Sequence, residues 1–102
     1  MIIAEFSIVP VGEGSSISRH VAQAVSVVMD SGLEYRVTPM GTLVEGEWDE
    51  VFSVIKGSFE RVLRDCSRVT GSIKLDCRKD GKSRMEAKVE SVERKIGKPI
   101  RR

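Results

Sequence analysis

The hydrophobic period of this chain changes repeatedly along its 102 residues. Apolar side chains recur at every second residue in some segments and at every third or fourth in others, which predicts strands and helices respectively. The predicted elements are strands at 2–10, 33–38, 42–45 and 70–79 and helices at 16–31, 48–67 and 84–96. Their order is that of the split βαβ arrangement, so the expected fold class is α+β, a ferredoxin-like βαββαβ sandwich with an additional C-terminal helix.

The first strand indicates how the sheet is covered. Its residues 2, 4, 6 and 8 are all apolar, whereas its other face mixes Ile3 and Val9 with Glu5 and Ser7. That second face is too apolar to be left to water, and a chain of this length buries only a modest core. We therefore expect a homo-oligomer, a dimer or a tetramer. The third helix is the alternative cover for this face, and the sequence does not decide between them.

The length fits one domain, expected at 1–97 and followed by a basic tail at 98–102. No apolar run approaches the roughly 20 residues that span a bilayer. The first ten residues lack the basic start and the cleavage site of a signal peptide. Cys66 and Cys77 form no CxxC motif, so a zinc site of the usual kind is not expected. We expect a cytoplasmic protein that binds no metal and no cofactor.

The net charge of +2 conceals an asymmetry. Residues 1–63 hold nine acidic and four basic side chains, a net charge of −5, whereas residues 64–102 hold six and thirteen, a net charge of +7. Such a basic half makes nucleic acid a candidate partner. However, the fourth strand offers no aromatic side chain on which a base could stack. We expect nucleic acid not to be a partner, and keep a nucleic-acid-binding ferredoxin-like module as an alternative.

The most specific segment lies at 31–51 and reads SGLEYRVTPMGTLVEGEWDEV. Together with Pro10, Gly12 and the serine cluster that follows them, it resembles the thiamine-binding protein family, and the resemblance extends from about residue 2 to residue 96. It implies a ferredoxin-like fold that assembles through its sheets into dimers or tetramers. It also implies binding of thiamine, or of its hydroxymethylpyrimidine part, without known catalysis.

Thiamine joins an aminopyrimidine to a cationic thiazolium ring, so its site needs an apolar slot and a few placed polar groups. The candidate ligand-binding residues are Ser7, Pro10, Ser16, Ser18, Tyr35, Met40, Gly41, Thr42 and Glu45. Glu45 can accept from the ring amine, and Thr42 can donate and accept. Met40 offers an adaptable sulfur surface and Gly41 a close backbone approach. Tyr35 can stack on a ring.

The serines have two interpretations each. Ser7 lies on the helix-free face and can reach a ligand held between subunits, whereas Ser16 and Ser18 either cap their own helix or bond a ligand hydroxyl. A structural or regulatory oligomer without this ligand stays open.

The sequence contains few features that are typical of an enzyme active site. Asp49 and Glu50 are adjacent on a helix, so their carboxylates diverge by about 100°. No phosphate-binding P-loop is present. We expect no enzymatic activity, a partly buried His20 without a catalytic role, and Trp48 as a core anchor.

Overall fold

The computed structural model describes residues 1–14 and 17–102. Its elements are β1 (Ile2–Pro10), α1 (Ser18–Asp30), β2 (Glu34–Thr38), β3 (Gly41–Gly46), α2 (Trp48–Leu63), β4 (Val69–Cys77) and α3 (Met85–Ile96). The four strands form one sheet in the order β2-β3-β1-β4. All neighbouring strands are antiparallel. The predicted ferredoxin-like α+β fold with an additional C-terminal helix is confirmed.

Local chemistry sets several of the helix ends. Gly32 follows α1 with a φ of +77°, the left-handed conformation predicted for this glycine. Glu47 and Glu50 form a capping box at the start of α2, in which the Glu50 carboxylate accepts from the Glu47 N–H at 3.1 Å. α2 ends at Leu63, earlier than predicted. The Val62 carbonyl accepts from the Asp65 N–H at 3.1 Å, which closes a turn in place of a further helical turn.

The core lies between α1, α2 and the inner face of the sheet. Residues 2, 4, 6 and 8 of β1 are buried there, as their alternation predicts. Val28 of α1, Val44 of β3 and Val62 of α2 are also buried and belong to the same hydrophobic cluster. His20 is 2% exposed on α1, with its Nε2 3.5 Å from the Glu13 carboxylate. It is thus more deeply buried than expected.

α3 lies over one end of the outer face of the sheet. The Lys88 ammonium donates to the Asp76 carboxylate of β4 at 2.5 Å, and Glu86 pairs with Arg36 of β2. At the other end of β1, Val9 is 44% exposed. α3 therefore covers only part of the outer face of the sheet, for which the sequence did not decide the cover.

β4 and α2 carry apolar side chains outside the core, and for Trp48 this corrects the expectation of a core anchor. Ile73, Leu75 and Cys77 share the helical side of the sheet with the core, as the β1–β4 register shows, yet all three are exposed. The reason is that β4 is an edge strand that α1 and α2 barely cover. Trp48 is 50% exposed and stacks on Phe52, with ring centroids 5.6 Å apart, instead of anchoring the core.

Candidate functional site

A difference in strand length leaves part of β1 open. β1 pairs with β4 along all its residues, from Ile2 to Pro10, but with β3 only from Ile2 to Phe6. The β2–β3 hairpin turns at Pro39 and Met40, so β3 has no residue beside the last third of β1. Beyond Phe6, the β3-facing side of β1 is therefore an unpaired strand edge within the domain.

A pocket of about 330 Å³ lies at this edge. α1 contributes Val21 and Ala24, the hairpin contributes Thr42, and Ile17 comes from the segment before α1. Four of the predicted site residues line the pocket together: Ser7, Met40, Gly41 and Thr42. The segment that the sequence singled out thus meets β1 and α1 in one place.

Thr42 is the polar side chain best placed for a ligand. It is 7% exposed and pairs with Phe6 on the inner face of the sheet. Within the described part of the chain its hydroxyl forms no side-chain hydrogen bond, so it is available to a ligand. Met40 is 84% exposed at the turn. Gly41 permits the close approach expected of it, because a Cβ there would lie 3.0 Å from the Phe6 carbonyl oxygen.

Ser7 contributes differently from the expectation. Its hydroxyl hydrogen bonds to that of Ser72 at 3.0 Å, across the β1–β4 pair and on the outer face. Its side chain is therefore engaged with its neighbour strand, although Ser7 is one of the residues that line the pocket.

Glu45 lies away from this pocket. It is 4% exposed on the outer face, opposite to the face that carries Thr42. Its carboxylate accepts from the Ser83 hydroxyl at 2.7 Å and from the backbone N–H groups of Arg84 and Met85 at 2.6 and 3.1 Å. Glu45 thus holds the start of α3, where a negative charge also suits the helix dipole. Within one subunit the structure does not bring Glu45 and Thr42 to the same ligand.

Three of the remaining predicted residues, which the structure describes, lie outside the pocket lining. Pro10 is buried at the end of β1 and pairs with Val69. Tyr35 is half-buried on β2 and packs against the core. Ser18 is exposed in the first turn of α1. Ser16 lies outside the described residues.

A second cavity, of about 440 Å³, separates α3 and the C-terminal residues from the outer face of the sheet. Its apolar lining includes Ile3 and Leu43. Its basic lining residues are Arg36, Lys88, Arg101 and Arg102, against the single acid Glu86. Lys88 and Arg102 also pair with Asp76 and Glu93, so the cavity keeps a small surplus of positive charge, which disfavours a cationic ligand. The pocket at the open edge of β1 has no charged lining residue in the described part of the chain and is the better candidate.

Val21 and Ala24 were not among the site residues predicted from the sequence, yet both line this pocket. The available signal was the length of the strands. The first strand was predicted with nine residues and the third, its neighbour, with four. This difference already implies that part of the first strand has no partner on that side, but it does not show which elements cover that part.

Comparisons with known proteins point to one family. Residues 4–93 match the family described as thiamine-binding protein. A UPF0045 protein from Methanocaldococcus jannaschii is 37% identical over 91 residues, which cover 89% of this chain and 91% of that protein. A UPF0045 protein from Methanothermobacter thermautotrophicus is 40% identical over 99 residues, which cover 94% of this chain and all of that protein.

Solved structures agree with the fold. A hypothetical protein from Methanocaldococcus jannaschii superposes with a TM-score of 0.83 at 37% identity, over 89% of this chain and 94% of the other. A Thermotoga maritima protein, assigned provisionally to thiamine biosynthesis or salvage, superposes with a TM-score of 0.79 at 23% identity, over 89% and 97% of the two chains.

Across residues 1–14 and 17–102, no helix is long and apolar enough to cross a membrane. The same residues contain no group of three or more side chains arranged to hold a metal ion.

Proposed function

Since this chain belongs to the thiamine-binding protein family, we propose that it binds thiamine or its hydroxymethylpyrimidine moiety in the pocket at the open edge of β1, without catalysing a reaction. The observation that carries the proposal is the convergence of Met40, Gly41 and Thr42 on one pocket beside an unpaired strand. The provisional assignment of the Thermotoga maritima protein to thiamine metabolism supports the same ligand class.

The volume of the pocket suits the pyrimidine part of thiamine. Ligand pockets typically measure about 300–1,000 Å³, so this one is at the small end of the range. A flat pyrimidine ring fits an apolar slot between α1 and the sheet. The thiazolium cation would be costly to bury beside uncharged walls. We therefore place the pyrimidine inside and the thiazolium near the mouth, where the exposed Met40 offers a polarizable thioether.

Calorimetric titration of the purified protein with thiamine, hydroxymethylpyrimidine and thiamine phosphates tests this function. We expect saturable heat and a rise in melting temperature with at least one of them, because a ligand that binds only the folded state stabilises it. No heat and no thermal shift at millimolar concentrations of every compound would overturn the proposal.

Thr42→Val tests the position of the site, because it removes the hydroxyl at nearly constant shape. The loss of one hydrogen bond predicts about 10-fold weaker binding in the same titration. Glu45→Gln is the control and should leave affinity within about two-fold, since Glu45 contacts α3 and not the pocket. The reverse pattern would assign the ligand to Glu45.

We further propose that the chain forms a homo-oligomer, which would bring two or more such pockets into one assembly. β4 is an edge strand, and Ile73 and Leu75 are exposed on it. Trp48, Phe52 and Leu63 are exposed on α2. Long apolar edges of this kind invite pairing with another strand.

A further inference from the structure

We propose that the backbone of Ile8 selects the aminopyrimidine ring by pairing with it as a neighbouring strand would. This inference rests on the proposed function and deepens it, because it names the chemical group that the pocket recognises and the atoms that recognise it.

The direction of the backbone groups follows from the two neighbours of β1. The Phe6 carbonyl points to β3, since its oxygen lies 3.0 Å from where a Cβ of Gly41 would be. The Ser7 carbonyl points the other way and lies against Gly71 of β4. Backbone groups in an antiparallel ladder alternate between the two sides. The N–H and C=O of Ile8 therefore both face the β3 side, where the pocket lies.

No strand reaches these two groups. The register between β1 and β3 ends at the pair Phe6–Thr42, so the next hydrogen-bonded pair would join Ile8 to Met40. The Met40 N–H instead donates to the Thr38 hydroxyl at 3.2 Å, and that hydroxyl donates to the Gly41 carbonyl at 2.9 Å. The turn is thus bonded to itself. In the part of the chain that the structure describes, Ile8 has no backbone partner on this side.

An unpaired donor and acceptor beside a buried side chain define what can bind. Ile8 is 7% exposed, and buried backbone groups are almost always paired. The aminopyrimidine of thiamine carries an amino donor next to a ring-nitrogen acceptor. The amino group can donate to the Ile8 carbonyl while the ring nitrogen accepts from the Ile8 N–H. These are the main-chain hydrogen bonds that an added strand makes in β-augmentation. This recognition needs no carboxylate, consistent with the uncharged lining.

The same geometry predicts what is rejected. A 4-oxopyrimidine presents a carbonyl and a ring N–H in place of the amino group and the ring nitrogen. Acceptor would then face acceptor and donor would face donor, so both hydrogen bonds would be lost. Sites built to pair with a polar group discriminate strongly against analogues that cannot pair.

The test is calorimetry on the intact chain with two matched pairs of compounds: thiamine against oxythiamine, and hydroxymethylpyrimidine against its 4-oxo analogue. We expect the 4-oxo member of each pair to bind about 100-fold more weakly. Equal affinities within each pair would overturn the role of Ile8 and leave the proposed function standing. Failure of all four compounds to bind would overturn both.

A backbone variant adds an independent readout. Ile8→Pro removes the N–H that faces the pocket without removing a β1–β4 hydrogen bond, and Ile8→Val is its control because it keeps the N–H. We expect Ile8→Pro to weaken hydroxymethylpyrimidine about 10-fold relative to Ile8→Val. Equal affinity of the two variants would contradict the proposal. Should the proline variant fail to fold, the analogue pairs on the unmodified chain still decide.

Discussion

Glu45 is the predicted site residue whose structural role is clearest, because its carboxylate holds the start of α3. Three donors converge on its carboxylate, and all of them come from the segment that starts α3. Composition and spacing present Glu45 as a strand carboxylate near a turn. They do not reveal that Ser83, almost forty residues later, is its partner. A long-range polar contact of this kind has no local signal, whereas the inward side of β1 follows directly from strand alternation.

Glu45→Ala should lower the free energy of unfolding by about 2 kcal/mol, since it leaves buried donors without an acceptor. Glu34→Ala is the matched control, because Glu34 is an exposed carboxylate on the adjacent strand, 4.0 Å from Arg36. It should change stability by less than about 0.5 kcal/mol. Urea unfolding of both variants measures the difference. Similar midpoints for the two would contradict the role assigned to Glu45.

At the scale of elements, the order and type of every helix and strand could be predicted from the sequence, because amphipathic period is a local property. β1 was predicted with both its ends, and Gly32 marks the end of α1 in sequence and structure alike. The pocket could not be predicted in the same way. The pocket depends on where the β2–β3 turn lies along β1 and on how α1 packs over the part of β1 that β3 does not reach. Both are features of the tertiary structure.

Carboxylate contacts join α3 to β4 and to the segments at the two ends of the helix. Hydrogen bonding to Lys88 lowers the pKa of Asp76, and hydrogen bonds from the Lys82 backbone and Arg84 lower that of Asp80. The Ile100 N–H and Arg102 lower the pKa of Glu93. A depressed pKa contributes stability above the ordinary carboxyl value, and this contribution is lost as pH falls through the lower value of the folded state. These contacts should therefore fail in acid.

We expect α3 to loosen before the core as the pH is lowered below about 4. Amide hydrogen exchange at successive pH values, corrected for intrinsic rates, measures this. Protection of the amides in α3 should fall first, while those in β1 and α2 stay protected. Simultaneous loss of protection in all three elements would show that α3 is an integral part of the core.

The shape of the whole molecule is elongated, with extents of 46 × 28 × 20 Å and a radius of gyration of 15.0 Å. A compact chain of this length has a radius of gyration of about 13 Å. Exposed apolar side chains on α2 and β4, and Val92 and Ile96 on α3, lie on this extended surface. Such a molecule gains by burying these side chains against another copy, which supports the proposed oligomer.

Light scattering on size-exclusion fractions tests that oligomer. Ile73→Lys should reduce the mass, because it places a charge on the exposed apolar side of β4, whereas Met29→Lys, at an exposed site on α1, should not. The asymmetry of −5 and +7 between the two parts of the chain also predicts weaker self-association at high salt. A mass that is the same for both variants would contradict the β4 contact. A mass unchanged between low and high salt would contradict a charged contribution.

We place the ligand against the open edge of β1 and away from Glu45. Chemical-shift mapping of backbone amides during a titration with hydroxymethylpyrimidine tests it most directly. The largest shifts should fall at Ile8, Ala24 and Thr42, while those of Glu45 and Ser83 stay nearly unchanged. Shifts concentrated at Glu45 and Ser83, with Ile8 unmoved, would contradict it.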